Sequence, residues 1–232
     1  MASLDSALLK QALQKGIIRR VANDGAVGLR LRYKGTGTVT SVAATQATSV
    51  VLTTSDGGTD TYLFSAYSTL GALADAINAD GIFEAKVMDA LRSENPDDFF
   101  VTTASQTATT DDNGVVCYDL AIDTNVAATF SCVLSPSVNF DSPKGHRVHL
   151  QQIDYLLDNT PAADTLSIYQ RKGTVETLLY SATNVDTTAT SVTFASGQAK
   201  ITADWDAELV ISFDGTVDNY ATGYIQAMGI YE

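Results

Sequence analysis

Two histidines, two cysteines and several Asp-rich turns are the residues through which this 232-residue chain could do chemistry. His146 and His149 stand three positions apart in HRVHLQQ. Read as a strand, that spacing sends them to opposite faces, where they could not share a metal ion. On a helix they would be neighbours, yet a transition-metal site would still need further ligands, and no HExxH or cysteine cluster supplies them. The turns SDGGTD (55–60), TDDNG (110–114) and FDGTVDN (213–219) could offer carboxylates and carbonyls to Ca²⁺. None has the spaced oxygen ligands and closing Glu of the twelve-residue EF-hand loop, and Asp with Gly is ordinary turn chemistry. No metal site and no cofactor are expected.

The search for nucleophiles and acid–base pairs ends in the same place. KGTGT (34–38) has the glycines of a phosphate loop but not the GxxxxGK[ST] order, and it leads into a strand instead of a helix N-terminus, so it reads as a turn. No GxSxG elbow occurs, and neither cysteine has a histidine beside it. Asp204 and Asp206 could sit on one face about 5–9 Å apart, as glycosidase carboxylates do, but the pattern is common in acidic chains. Catalysis is not expected. An aromatic face for sugar is conceivable from Tyr155, Tyr169, Tyr180, Trp205, Tyr220, Tyr224 and Tyr231, although core and subunit contacts account for such residues more simply.

Charge is unevenly placed. Residues 1–34 hold seven basic and two acidic groups, a balance of +5, whereas the remainder holds seven basic and 25 acidic groups, a balance of -18, together the net -13. An acidic body repels phosphate, so nucleic acid is a disfavoured partner. Only the segment bearing Lys10, Lys15, Arg19, Arg20, Arg30, Arg32 and Lys34 could meet nucleic acid or an acidic protein. No run of roughly 18 apolar residues offers a membrane span. MASLDSALLKQALQKG lacks the basic and apolar regions of a signal peptide, so folding in a cytoplasm is expected.

Hydrophobic residues make up 45% and charged residues 18%, which suits a β-rich globular protein long enough for two domains. Leu4, Leu8, Leu9, Ala12 and Leu13 recur at helical spacing before Gly16 and predict a short amphipathic helix, too short to stand alone and so docked on its own body or on a neighbour. From Gly25 onward Thr/Val segments predict strands. They are interrupted once, where Ser68 is placed to cap a helix with Leu70, Leu73, Ala74 and Ile77 on one face and Gly81 as its stop. FEAKVMDAL resumes as a strand, and this β-β-α-β order predicts a helix lying across a sheet.

VVCYDLAI and AATFSCVL predict a hairpin about Thr124–Asn125 that sets Cys117 opposite Cys132, close enough for a disulfide, while a reducing cytoplasm favours two thiols. SPSVNFDSPKG, with two of four prolines, reads as a linker. Beyond it, five or six strand-like segments predict an antiparallel β-sandwich or jelly-roll-like domain, with the last strand built into the sheet. The expected organisation is a helical basic arm over 1–24, an α+β module over 25–138 and a β-sandwich over 139–232, mainly β overall.

The segment GTGTVTSVAATQATSVVLTTSDGGTDTYLFSAYSTLGALADAINADGIFEAKVMDAL resembles the small β-β-α-β modules of tailed-bacteriophage virion proteins, in its Thr/Val hairpin, its STLGALADAIN helix and the strand that follows. The C-terminal pattern is similar to β-sandwich domains of phage heads and tails. The resemblance implies a non-enzymatic virion protein assembled in the host cytoplasm, foremost a capsid decoration or cement protein. A tail, neck or fibre component and a carbohydrate-binding adhesin are the alternatives. The implied partners are the major capsid protein, other virion proteins and further copies of the chain. Leu8, Leu9, Leu13, Arg19, Arg20, Arg30 and Arg32 are the expected assembly contacts, since an arm of opposite sign could reach over a neighbour's acidic surface.

Overall fold

The computed structural model describes residues 15–21, 27–97, 99–110, 114–122, 130–134, 148–156, 163–186, 188, 191–194, 201–204, 207–214 and 224–231. The fold is mainly β, in two compact units: Asn23–Ala128, and Met1–Ala22 together with Thr129–Glu232. The first strand, β1 (Lys15–Val21), belongs to the second of these, because it pairs antiparallel with the last strand, β16 (Tyr224–Tyr231). The unit from Asn23 to Ala128 is therefore an insertion between β1 and the rest of its own sheet.

Within that insertion, β2 (Val27–Tyr33) pairs on one side with β6 (Phe83–Val87) and on the other with β8 (Val116–Ala121), which pairs in turn with β7 (Ala108–Thr110). A second sheet is the meander β3 (Val39–Thr45), β4 (Ser49–Thr54) and β5 (Gly58–Leu63). Alternation decides the faces: in β6 Phe83, Ala85 and Val87 point inward, and Glu84 and Lys86 outward. Leu29 and Leu31 of β2, Val42 of β3 and Val50 and Leu52 of β4 join them in one buried core.

The helix α1 (Leu70–Asp80) closes this core with Leu70, Leu73, Ala74 and Ile77, all fully buried, as their spacing predicts. Its cap is Thr69, one residue later than expected; the Thr69 Oγ1 accepts from the Ala72 N–H at 3.1 Å. Gly81 ends it in the left-handed conformation, φ 78°. The helix also seals a sheet edge. Asn78 donates to the Ala85 carbonyl at 2.9 Å and accepts from the Ala85 N–H at 2.8 Å, so the outer rim of β6 is paired to a side chain. Tyr62 of β5 donates to Asp80 Oδ2 at 2.6 Å and ties down the helix end. Burial first, and the Asp80 carboxylate second, push the Tyr62 phenol up, which keeps it a donor. The rim of β3 is covered by segment 101–106, through paired Ala44 and Thr103 backbones and a bond from Gln106 N–H to the Val42 carbonyl.

The other unit is a β-sandwich. One sheet runs β1, β16, β10 (Val148–Leu156) and β13 (Ser191–Thr193), with β14 (Ile201–Ala203) also on β10. The other runs β12 (Val175–Asp186), β11 (Ala163–Lys172), β15 (Glu208–Asp214) and β9 (Phe130–Leu134). Ile153, Tyr155 and Ile225 of the first sheet meet Leu166, Ile168 and Phe213 of the second in one core. The Tyr155 ring lies 4.8 Å from that of Phe213, and its hydroxyl donates to the Asp186 carbonyl at 2.9 Å. Burial, then the Asp186 charge, push the Tyr155 phenol up to about 12.

Three expectations are corrected. The boundary falls at 128/129 and not at 138/139, because β9 already pairs with β15 and so belongs to the sandwich before the prolines are reached. Residues 15–21 are a strand of the sandwich and not part of a helical arm, whose remaining residues 1–14, Leu8, Leu9 and Leu13 among them, lie outside the described residues. The cysteine hairpin does not form: Cys117 on β8 is opposite Thr109, and Cys132 on β9 is opposite Ile211. Each strand finds its apolar complement in a separate unit, and long-range pairing overrides the local turn signal. Cys117 is buried and not disulfide-bonded.

Removing the fully buried Ile77 side chain by Ile77→Ala is expected to destabilise the inserted unit by about 2–5 kcal/mol. Removing the cap by Thr69→Ala should cost about 1 kcal/mol. Urea unfolding followed by far-ultraviolet circular dichroism measures both; equal losses for the two variants would contradict the packing described.

Candidate functional site

Among the described residues, several with chemical potential are engaged within the fold. KGTGT is a cradle, and its anion comes from the neighbouring turn. Asp56, in the turn between β4 and β5, accepts through Oδ2 from the Thr36 N–H at 3.0 Å and the Gly37 N–H at 2.9 Å, and through Oδ1 from the Tyr33 hydroxyl. The Ser55 Oγ accepts from the Thr38 N–H at 2.9 Å. A Cβ at Gly37 would run into Ser55 and Asp56, so glycine is what lets the two loops approach. The hydrogen bond from Tyr33, followed by that from the Gly37 N–H, holds the Asp56 carboxyl well below the ordinary 3.8. Successive backbone N–H groups of this kind bind phosphate in other proteins; here they bind a carboxylate of the same chain.

The expected assembly cations are divided. Arg19 and Arg20 lie on β1, opposite Gln226 and Ile225 of β16. Arg30 and Arg32 lie on β2 in the inserted unit. Arg30 is opposite Asp119 of β8 and meets it with two hydrogen bonds, 2.7 and 2.8 Å long. Arg32 faces Glu84 across β6 at 3.7 Å, a half-exposed pair worth at most about 1 kcal/mol. The basic stretch is thus shared between two folded units and is not one continuous arm.

The most buried charge was not singled out by the sequence. Arg171, on the central strand β11, has a side chain 2% exposed and lies in register between Glu176 of β12 and Glu208 of β15. It donates to Glu176 Oε1 at 2.7 Å from Nε, and a second guanidinium nitrogen stands 3.6 Å from Glu208 Oε2. The signal was present as charges at cross-strand positions, but it becomes readable only once the register is known.

The remaining candidates fare similarly. His149 lies on β10 with Nδ1 2.9 Å from Thr202 Oγ1, and His146 lies outside the described residues. Among the described residues no group of three or more His, Cys, Asp or Glu could hold a metal ion. Asp204 pairs with Lys172 at 3.5 Å, and Asp206 and Trp205 lie outside the described residues. Of the aromatic residues, Tyr155 is core and Tyr180 packs on it, edge to face with Phe194 at 5.3 Å.

No protein-family model and no curated protein matches the chain. Among solved structures it is similar to one described as the structure of infectious bursal disease virus, Gx strain, at 12% identity and a TM-score of 0.21, over 94% of this chain and 58% of that one. The chain thus spans less than two thirds of that neighbour's length, and at this TM-score no shared fold is established.

Two outcomes follow from the site. Asp56 should remain ionised, by carbon-detected NMR titration, at a pH where other exposed aspartates are protonated. Because its folded pKa is depressed, its contribution to stability is complete above about pH 4 and is lost as pH falls through the folded value. The stability gap between wild type and Asp56→Asn should therefore hold steady above that pH and shrink below it. Arg171→Ala, which leaves two carboxylates crowded without their cation, is expected to cost about 3–5 kcal/mol in urea unfolding; a loss under 1 kcal/mol would show the cluster to be dispensable.

Proposed function

We propose that this chain is a non-enzymatic structural protein of a virus particle, acting through protein contacts. The finer reading is a capsid decoration or cement protein of a tailed bacteriophage, assembled in the host cytoplasm on the major capsid protein. What supports the reading is how the polar chemistry is used. Asp56, Asp119, Arg171 and Asp204 are each tied to backbone groups or to ions of opposite sign. What the sequence adds is a basic first strand and a strongly acidic remainder. Such a charge division orients one acidic subunit on another. The β-β-α-β likeness of residues 35–91 adds to it. A glycan-binding surface receives less support, because Tyr155 and Tyr180 are packed in the sandwich.

Removing residues 1–34 would also remove β1 and the core residues Leu29 and Leu31, so the informative truncation stops at residue 14. It tests Leu8, Leu9 and Leu13 as anchors. The shortened chain is expected to keep its melting temperature and to lose binding to particles that lack the protein. Saturation of particles by the shortened chain would place the anchor elsewhere. Electron cryomicroscopy of particles carrying the full chain distinguishes head from tail, and its absence from purified particles would refute a virion role.

A further inference from the structure

The edges of the sheets are treated unequally. In the inserted unit the rim of β6 is bonded to Asn78, that of β3 is covered by segment 101–106, and β7 is three residues long. In the sandwich, β13 and β14 are three residues each, and β1 carries Lys15, Arg19 and Arg20. These are the usual means by which a protein keeps other strands from adding to its sheets. The strand β12 lacks most of them. It is twelve residues long, ends its sheet, and among the described strands pairs with β11 alone. It has no Lys, Arg or Pro, and from Thr177 to Val185 it has no charged residue at all.

Three of its eight exposed residues are large and apolar, and four of the other five are uncharged. Val175 is 61% exposed, Leu178 52% and Leu179 37%. A bulge explains two leucines in succession: Ile168 faces Tyr180 and Tyr169 faces Leu178, so Leu179 is the extra residue and the alternation is broken there. A second irregularity follows at Thr183 and Asn184, where Asn184 takes φ 58°. The two charges at the ends of β12 have internal partners: Glu176 binds Arg171, and Asp186 accepts from the N–H and hydroxyl of Thr188.

We propose that β12 is a homotypic interface, at which two copies of this chain join edge to edge, antiparallel about a two-fold axis near Leu178 and Leu179, into one eight-stranded sheet. The occupant is argued from charge. Each copy carries a net -13, so two copies repel over most of their surfaces, and a long uncharged edge is where they can approach. Two-fold antiparallel pairing of identical edges also gives the outward N–H groups, away from the two irregularities, carbonyls of the same segment as partners. With Leu178 opposite Leu179 of the second copy, Val175 falls opposite Ala182 and Glu176 opposite Ser181, so no like charges face each other directly. This contact stands whether or not the chain works in a virion.

Sedimentation equilibrium of the purified full chain is expected to give twice the 24.6 kDa monomer mass at micromolar concentration. The double variant Leu178→Lys/Leu179→Lys sets four ammonium groups about the axis and should weaken association on the order of a hundredfold, with an unchanged circular dichroism spectrum. Leu63→Lys, at an apolar residue 48% exposed on β5, should leave the dimer intact. Hydrogen exchange gives an independent reading: β12 amides should be protected in the wild-type dimer and exchange faster in the double variant. A wild-type chain that stays monomeric overturns the proposal, as does a dimer that the double variant leaves intact or β12 amides that exchange equally fast in both proteins.

Discussion

The pairing of β1 with β16 is the constraint on which the rest of the architecture depends. Lys15 lies opposite Ile230 and Val21 opposite Tyr224, so one sheet of the sandwich is completed by segments from opposite ends of the sequence. Contacts of such separation carry a large loop-closure cost and form late. The inserted unit moderates that cost. Among the described residues its core draws on positions between Leu29 and Ile122, so the insertion carries a core of its own, and the pairing of Val27 with Ala121 brings its two ends together. The helix α1 matters here because it supplies four fully buried side chains and the bonding partner for β6 within one short stretch of sequence.

Local features were legible in the sequence and partnerships were not. The i, i+3, i+4, i+7 spacing of Leu70, Leu73, Ala74 and Ile77 identified both the helix and its buried face, because helical periodicity is set within a few residues. FEAKV, expected within the strand FEAKVMDAL, is likewise a strand, with Phe83, Ala85 and Val87 turned inward. What failed was the assignment of strands to sheets. Thr- and Val-rich segments look alike, and nothing in FSCVL says that it will pair with ELVISF and not with VCYDLA. The prolines of SPSVNFDSPKG suggest a linker, but the unit boundary lies before FSCVL, where composition does not change. Of the expected contact residues, Arg30 and Arg32 were grouped with the N-terminal cations by proximity in sequence, whereas Asp119 and Glu84, their actual neighbours, come from distant strands.

Buried polarity follows the same division. Arg171 sits among apolar strands because both adjacent strands bring a carboxylate to its level, and a shift of either register by one residue would send that carboxylate to the other face. A charged residue so placed specifies alignment as well as charge balance: Glu176 fixes β12 against β11, and Glu208 fixes β15 on the other side. The edge strand thus owes its register to a cation one strand inward.

The loop from Lys34 to Thr38 bears on evolution as well as stability. Its backbone amides hold an anion, the Asp56 carboxylate, which any free anion would have to displace. A carboxylate held on the same chain competes at an effective concentration in about the millimolar range, which free phosphate must exceed before it can enter. One substitution at position 56 would lift the competition while leaving the Thr36 and Gly37 amides in the chain. The anion that the two amides hold is thus part of the chain itself, and it joins two loops.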